Sequence, residues 1–475
     1  MINFSLIYLS IFTFVISILS FFNIIYSYYF NLYLSLDSYF YSLILSLSFT
    51  FFSLIKNKNK LSKNIDRFKI TIYQKILTVI AGYLILPIII SVPFYFSINN
   101  ISFLDSYFEA ISGFTSTGFT IFNNIKHLDQ SLLLWRSSSQ WIGGLYFLFS
   151  IILLIDIFDN NLKKSLTNFF SFNTTEVVKQ FFKIFILYTI LTFVIFLILS
   201  LIKIRTFDSF NLAMTLISSG GFLPVNNLSL ILNNNFKEVI FSITMLISFF
   251  SIFLSYNLIF IKKKNLNFFQ EDIHLFFYLV SLLIIFFLFF NFDYNFSLIF
   301  LSLTSSISNI GFTIDGTPKN LSFIFLILTI IGGSFFSTSS GLRFLKIYAL
   351  FKFSIRVLIS NVKPRNIFNK KNFFSNISIE KTEIDKYFLS LLIFIITLLF
   401  LNLLLTISGI TFEDSFKLSI LTLMNTVNSS IYGLNDFNFE NLQFLTKSYL
   451  IIFMIIGRVE MLTILIIVKK FLFKN

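Results

Sequence analysis

No cysteine occurs in the 475 residues, which removes disulfides, thiolate metal sites and cysteine nucleophiles together. Histidine is nearly absent as well. His127 and His274 are the whole complement, too few for a histidine metal cluster or a Ser/His dyad within a membrane. No Walker-type phosphate loop is present, because Gly341-Leu342-Arg343 lacks the required pattern, so ATP hydrolysis and enzyme chemistry are not expected. Charge is scarce too: Asp, Glu, Lys and Arg make up 12% of the chain against 56% apolar residues. With a mean hydropathy of +0.85, this is membrane composition and not that of a soluble core. The 71 phenylalanines are abundant alongside Ile, Asn and Lys, and are read as codon bias of an AT-rich genome.

A span needs about 20 mostly apolar residues. Ten candidates follow, at roughly 3–25, 38–55, 76–97, 133–155, 181–202, 238–261, 274–291, 321–351, 387–407 and 447–468. No Lys or Arg precedes the first, and Phe21-Phe22-Asn23 is no small-residue cleavage site, so an uncleaved span is expected there. The net charge of +14 is concentrated in alternate loops. Lys56 to Lys75, Lys262 to Lys264, Lys352 to Lys386 and the terminal Lys469, Lys470 and Lys474 fall on one side, which the positive-inside rule makes cytoplasmic. Both termini are then cytoplasmic, the chain is multi-pass in a cell membrane, and its partner is the lipid bilayer and not nucleic acid. The opposite loops (98–132, 205–238, 291–320 and 408–447) hold eleven acidic residues against six basic ones, an outer mouth that attracts cations.

Within those outer loops lie four short half-apolar stretches, Asp105 to Ser116, Asp208 to Ser219, Asn295 to Ser308 and Glu413 to Asn425. Each is too short to span and each ends in a turn: Ser116-Thr117-Gly118-Phe119, Ser219-Gly220-Gly221-Phe222, Asn309-Ile310-Gly311-Phe312 and Thr426-Val427-Asn428-Ser429. Half-helices dipping in from outside are permitted only where their non-helical backbone is buried or lines water. Glycine-centred turns aim carbonyls at a dehydrated cation, and four of them can close a ring around one axis. The expected architecture is an all-α polytopic membrane protein with an N-terminal hairpin and four helix/pore-loop/helix repeats around one pore. Gly118, Gly220 and Gly311 supply the backbone freedom such a filter needs. The fourth repeat has no glycine from Thr422 to Ser430. Counting from Phe416 puts Val427 at that position and counting from Thr426-Val427 puts Asn428 there; Asn428 is chosen because asparagine tolerates left-handed geometry.

The eighth candidate is too long for one simple span, and its middle contains Gly332, Gly333, Ser334, Ser337, Thr338 and Gly341. By spacing alone this stretch fits either a loop beneath the filter or close helix packing through small residues. Arg458 sits within the last span, where an unpaired charge costs about 2.5 to 3.5 kcal/mol, so it is expected to face a cavity or a carboxylate. Arg343 and Lys346 are expected to snorkel to the lipid interface.

Trp135-Arg136-Ser137-Ser138-Ser139-Gln140-Trp141-Ile142-Gly143-Gly144, Ile331-Gly332-Gly333-Ser334 through Ser337-Thr338 to Gly341-Leu342-Arg343, and Gly457-Arg458-Val459-Glu460 form an ordered set in three repeats. With the filter turns, this set resembles the Trk/Ktr/HKT superfamily of potassium transporters over about residues 66 to 470. The N-terminal hairpin and the last motif lean toward its TrkH branch. The resemblance implies K+ uptake through one pore per chain, with K+ passing along filter backbone carbonyls, a gate loop at 331–341 and Arg458 as a cavity barrier. It also implies a homodimer and a cytoplasmic nucleotide-binding ring of RCK type, similar to TrkA or KtrA, which would carry the regulatory nucleotide; no bound organic cofactor is expected in this chain. The corresponding units are residues 1–65 (hairpin), 66–165, 166–265, 266–372 and 373–475 (repeats one to four). A mixed Na+/K+ transporter or a cation symporter of the same superfamily stays open as the alternative. A membrane scaffold or polymer-handling enzyme would lack the fourfold filter pattern.

Overall fold

The computed structural model describes residues 2–61, 71–158, 177–259, 270–290, 295–362, 381–434, 437–459 and 463. Among these residues there are sixteen α-helices and no strand beyond an isolated bridge between Ile331 and Leu342. The boundaries expected near 65, 165, 265 and 372 lie outside the described residues, as do Lys262 to Lys264, Glu460 and the terminal lysines.

Two long helices come first, α1 (Ile2–Tyr29) and α2 (Tyr33–Leu61). They pack through small hydroxyl residues: Ser20 and Ser42 are 2.8 Å apart at their oxygens, and Ser53 Oγ donates to the Leu6 carbonyl. Such residues let helices approach closely where lipid provides no hydrophobic drive for association. The hairpin then docks on the first repeat through Ser35 to Ser131 (2.7 Å) and an aromatic cluster in which Tyr8 and Phe12 meet Tyr146 and Phe149.

The rest of the chain repeats one unit four times. Repeat one is α3 (Ile72–Ser97), α4 (Phe103–Phe114) and α5 (Gln130–Phe158). Repeat two is α6 (Val177–Leu201), α7 (Thr206–Ile217), α8 (Asn235–Phe249) and α9 (Ile252–Ile259). Repeat three is α10 (Gln270–Phe290), α11 (Phe296–Ile307), α12 (Ser322–Ile330) and α13 (Phe344–Val362). Repeat four is α14 (Lys381–Ile407), α15 (Phe412–Leu423) and α16 (Phe444–Val459). Among the described residues, seven helices are long and apolar enough to cross a membrane. Their outer faces carry exposed Phe14, Phe51, Phe193, Phe277 and Phe400, the surface a hydrocarbon solvent requires.

The four short helices α4, α7, α11 and α15 have twelve residues each, about 18 Å of rise and too little for a roughly 30 Å hydrocarbon core. Their starts are written in the sequence. Ser102 and Thr411 cap α4 and α15 by accepting from the Asp105 and Asp414 amides, and Asp105, Asp208, Glu413 and Asp414 put negative charge at helix N-termini.

Two of the ten expected spans are broken. The 321–351 segment divides into α12 and α13 around a loop at 331–343, so the loop alternative holds over continuous helix packing. The 238–261 segment divides as well, at Phe250 and Ser251, which the hydropathy of the sequence does not reveal. The helices that follow the turns lie very close to the short helices: a Cβ added at Gly143 or Gly457 would collide with the Phe114 or Leu423 carbonyl. Gly143→Ala is therefore expected to lower stability by about 1–3 kcal/mol through overpacking. An unaltered thermal unfolding curve of that variant in detergent would show that the close approach is dispensable.

Candidate functional site

The C-terminal ends of the four short helices meet at four turns of one design. In each, the helix is followed by a cap residue in the right-handed region (Thr115, Ser218, Ser308, Met424) and then by a residue with positive φ: Ser116 at 58°, Ser219 at 53°, Asn309 at 59° and Asn425 at 47°. The next amide reaches back to a carbonyl five residues earlier: Thr117 to Ser112 (2.9 Å), Gly220 to Thr215 (2.8 Å), Ile310 to Ser305 (3.0 Å) and Thr426 to Leu421 (3.0 Å). These bonds fill helix-terminal carbonyls that would otherwise be orphaned.

This common hydrogen bond fixes the register and corrects two expectations. The residues aligned at the third turn position are Gly118, Gly221, Gly311 and Val427. Gly220 therefore matches Thr117, and the glycine equivalent in the second repeat is Gly221. Asn428 is one residue too late: it stands where the other repeats have buried Phe119, Phe222 and Phe312. Asparagine's left-handed tolerance is used in this turn, but by Asn425.

The ring has twofold character inside its fourfold plan. Gly118 and Gly311 have φ of 84° and 82°, while Gly221 and Val427 are outside the left-handed region. In the first and third turns, Ser112 Oγ donates to the Phe119 carbonyl (2.6 Å) and Ser305 Oγ to the Phe312 carbonyl (2.9 Å). The matching positions in the second and fourth repeats are Thr215 and Leu421. A β-branched valine is thus excluded at 118 and 311 by backbone strain, and tolerated at 427.

Amide side chains tie neighbouring turns. Asn309 Nδ2 donates to the Thr329 carbonyl (2.7 Å) and to Thr426 Oγ1 (3.3 Å); Asn425 Nδ2 donates to the Met454 carbonyl (2.9 Å) and to Thr117 Oγ1 (3.0 Å). Gln140, buried on α5, accepts from the Phe222 amide at 3.3 Å. Behind the first turn, Arg136 Nε donates to Glu109 Oε1 at 2.9 Å with both side chains buried, Glu109 Oε2 accepts from the Ile121 amide, and the guanidinium lies 4.2 Å from the Phe222 ring centroid. Glu109 is thus a structural carboxylate and not part of an acidic mouth.

The 331–343 loop is held on both sides. Thr338 Oγ1 donates to the Ile217 carbonyl (2.7 Å) at the end of α7 and lies 3.3 Å from Ser219 Oγ. The carbonyls freed by the α8/α9 break are taken up by the loop: Ser339 N donates to Ser248 O (3.2 Å) and Ser334 N to Phe249 O (3.0 Å). At the start of α10, Glu271 accepts from the Phe335 amide (3.0 Å) and Asp272 from the Ser251 amide (3.0 Å), so two adjacent carboxylates hold both interruptions. Gly341 has φ of 81° where the loop turns back toward Gly332.

Arg343 and Lys346 do not snorkel; both are buried. Arg343 Nη1 donates to the Ser334 and Ser339 carbonyls at 3.1 and 2.9 Å, using its cation to gather loop carbonyls. Arg458 is buried between the turns and this loop: it bonds Ser340 Oγ, and its Nη2 lies 3.4 Å from Ser116 Oγ and 3.5 Å from Ser218 O. The Phe147 ring has Arg343 and Arg458 guanidinium carbons at 4.9 and 3.9 Å from its centroid, within cation–π range. Of the site residues expected from sequence, Ser116, Ser219, Gly332, Gly333, Ser334, Ser337, Thr338 and Arg458 therefore fall in one connected region. Gln140, Glu109, Glu271, Asp272 and the 250–251 break were not assigned a role there. A carboxylate seven residues before a glycine-centred turn and a paired acid opening a span were the available signals.

Residues 294–473 match the TrkH family of cation transport proteins. An uncharacterized cation transporter of Methanocaldococcus jannaschii is 28% identical over 300 residues, a match that spans 60% of this chain and 60% of that protein. The Trk system potassium uptake protein TrkH of Escherichia coli K12 is 24% identical over 424 residues, 82% of this chain and 84% of its own. The crystal structure of the potassium transporter TrkH from Vibrio parahaemolyticus has the same fold, with a TM-score of 0.78 at 21% identity, covering 97% of this chain and 98% of that one.

The Arg136–Glu109 pair provides a stability test. Glu109→Ala leaves a buried unpaired guanidinium and is expected to cost about 3–5 kcal/mol. Replacing both, with Glu109→Leu and Arg136→Met, is expected to cost much less in the same thermal unfolding assay; equal losses would mean that the charge pairing is not what positions the first turn.

Proposed function

We propose that this chain, a membrane subunit of the Trk/Ktr/HKT superfamily, is a Trk-type potassium uptake protein in which K+ moves down its electrochemical gradient through one pore per chain. The relatives are transporters, and the chain is accordingly a transporter and not an enzyme. The observation that carries the reading is the convergence of four capped half-helices on turns with positive φ at Ser116, Ser219, Asn309 and Asn425. Half-helix C-terminal ends carry partial negative charge, which stabilises a cation in the space they face. Filter backbone from residues 116–118, 219–221, 309–311 and 425–427 would exchange its oxygens for the water of K+. An inside-negative potential contributes about 2.3 kcal/mol per charge per 100 mV, so uptake requires no ATP spent on each ion.

In this reading the 331–343 loop is the gate. Its ties to the end of α7, to the α8/α9 break and to Glu271 make it a segment with many breakable polar contacts and little helical continuity. Arg458 is the electrostatic barrier: its charge lies between the gate loop and the helix ends whose partial negative charge attracts the ion. We assign the regulatory input to a cytoplasmic nucleotide-binding ring of RCK type acting on a homodimer, with the basic 352–386 stretch as its docking surface. A mixed Na+/K+ transporter is the second reading, favoured by the side chain at Val427 where three repeats have glycine.

The test is K+ and Na+ flux into proteoliposomes holding the purified protein. Saturable K+ flux is expected, raised by Arg458→Ala and lost in Gly118→Ser, whose Cβ would meet the Gly221 backbone. Permeation that is identical in wild type and in both variants would sink the pore assignment.

A further inference from the structure

The neighbours of the four repeats define a closed order. Repeats one and two meet through α5 and α7, two and three through α8 and α11, three and four through α12 and α15, and four and one through α16 and α4. Repeats two and four consequently face each other across the axis. Side-chain room at the third turn position is unequal around this ring. A Cβ at Gly118 would lie 2.5 Å from the Gly221 Cα, and one at Gly311 would lie 2.8 Å from both the Val427 carbonyl oxygen and Cγ1. A Cβ at Gly221 would meet something different, because its three nearest atoms all belong to the Val427 side chain: it would collide with Cβ and lie 3.1 Å from each methyl carbon. A contact between opposite repeats crosses the axis. Val427 is also half-exposed, while Asn425 and Thr426 beside it are fully buried.

We propose that Val427 is the residue limiting cation passage in this filter: its isopropyl group extends from repeat four across the axis to Gly221, at the level where the other three repeats supply only backbone. The inference rests on the pore reading above and adds a residue to it. A cation shedding water needs oxygen ligands, and an isopropyl group has none to give. The side chain is stiff at χ1, so passage requires the ring to widen or the valine to leave its rotamer.

Flux through reconstituted wild type, Val427→Gly, Val427→Ala, Gly221→Ala, Gly118→Ala, the double variant Gly221→Ala/Val427→Gly and its counterpart Gly118→Ala/Val427→Gly tests this, each normalised to folded protein in the vesicles. Val427→Gly is expected to raise K+ flux about tenfold, equivalent to about 1.4 kcal/mol of barrier, with Val427→Ala between it and wild type. Gly221→Ala is expected to abolish flux and the double variant to restore it, because the colliding atoms are gone. Gly118→Ala combined with Val427→Gly is expected to stay inactive, since its obstacle is the Gly221 backbone. Wild-type K+ flux with unchanged or lower flux in Val427→Gly, or with no rescue of Gly221→Ala, overturns the role of Val427 and leaves the transport reading standing. Absence of K+ and Na+ flux in folded wild type and in every variant overturns both.

Discussion

Everything in this fold depends on satisfying backbone polar groups where no water is available. A helix ending inside a hydrocarbon slab leaves carbonyls unpaired, and each costs several kcal/mol. Four short helices end that way here, and each solves the problem in the same fashion: the chain reverses through one left-handed residue and sends an amide back to the carbonyl five positions earlier. The left-handed residue is serine or asparagine and not glycine. Burial against the next helix over-determines the conformation, so its modest strain persists. The glycines of the following helices, Gly143 and Gly457, let that next helix come within contact of the buried carbonyls.

The same requirement explains the second interrupted region. Breaking α8 and the α12/α13 segment frees carbonyls and amides in the membrane interior, and each break supplies partners to the other. The remaining groups are taken by charge: Glu271 and Asp272 accept amides, and Arg343 donates to loop carbonyls. Buried charges of this kind are tolerated because they replace solvent for backbone that cannot pair with itself. It follows that loop, break and acid pair form one mechanical unit, joined through Thr338 and Arg458 to the ends of the short helices.

A single chain that repeats a unit four times is free to let the copies diverge. The first and third turns keep positive-φ glycine and a serine-to-carbonyl bond, and the second and fourth have neither. Divergence of this kind makes a valine possible at one position of four. A homotetrameric arrangement would impose that valine on all positions, including the two where its backbone is forbidden.

The sequence by itself determined the membrane class, the number of repeats and the position of every short helix to within about two residues. Those properties rest on local quantities: apolar run length, N-caps such as Ser102 and Thr411, and small residues at the turns. It also marked 331–341 as a weak stretch, because eight Gly, Ser and Thr residues lower helix stability whatever surrounds them, but it left a loop and close helix packing equally open. Only the tertiary structure decided the register of the fourth turn. Val427 and Asn428 are adjacent, and the choice between them is made by which amide reaches Leu421, a hydrogen bond that composition cannot reveal. The burial of Arg343, the break at Phe250 and the pairing of Glu109 with Arg136 were likewise settled by partners distant in the chain, since a charge or a broken helix in a membrane is permitted by what stands opposite it and not by its own residue type.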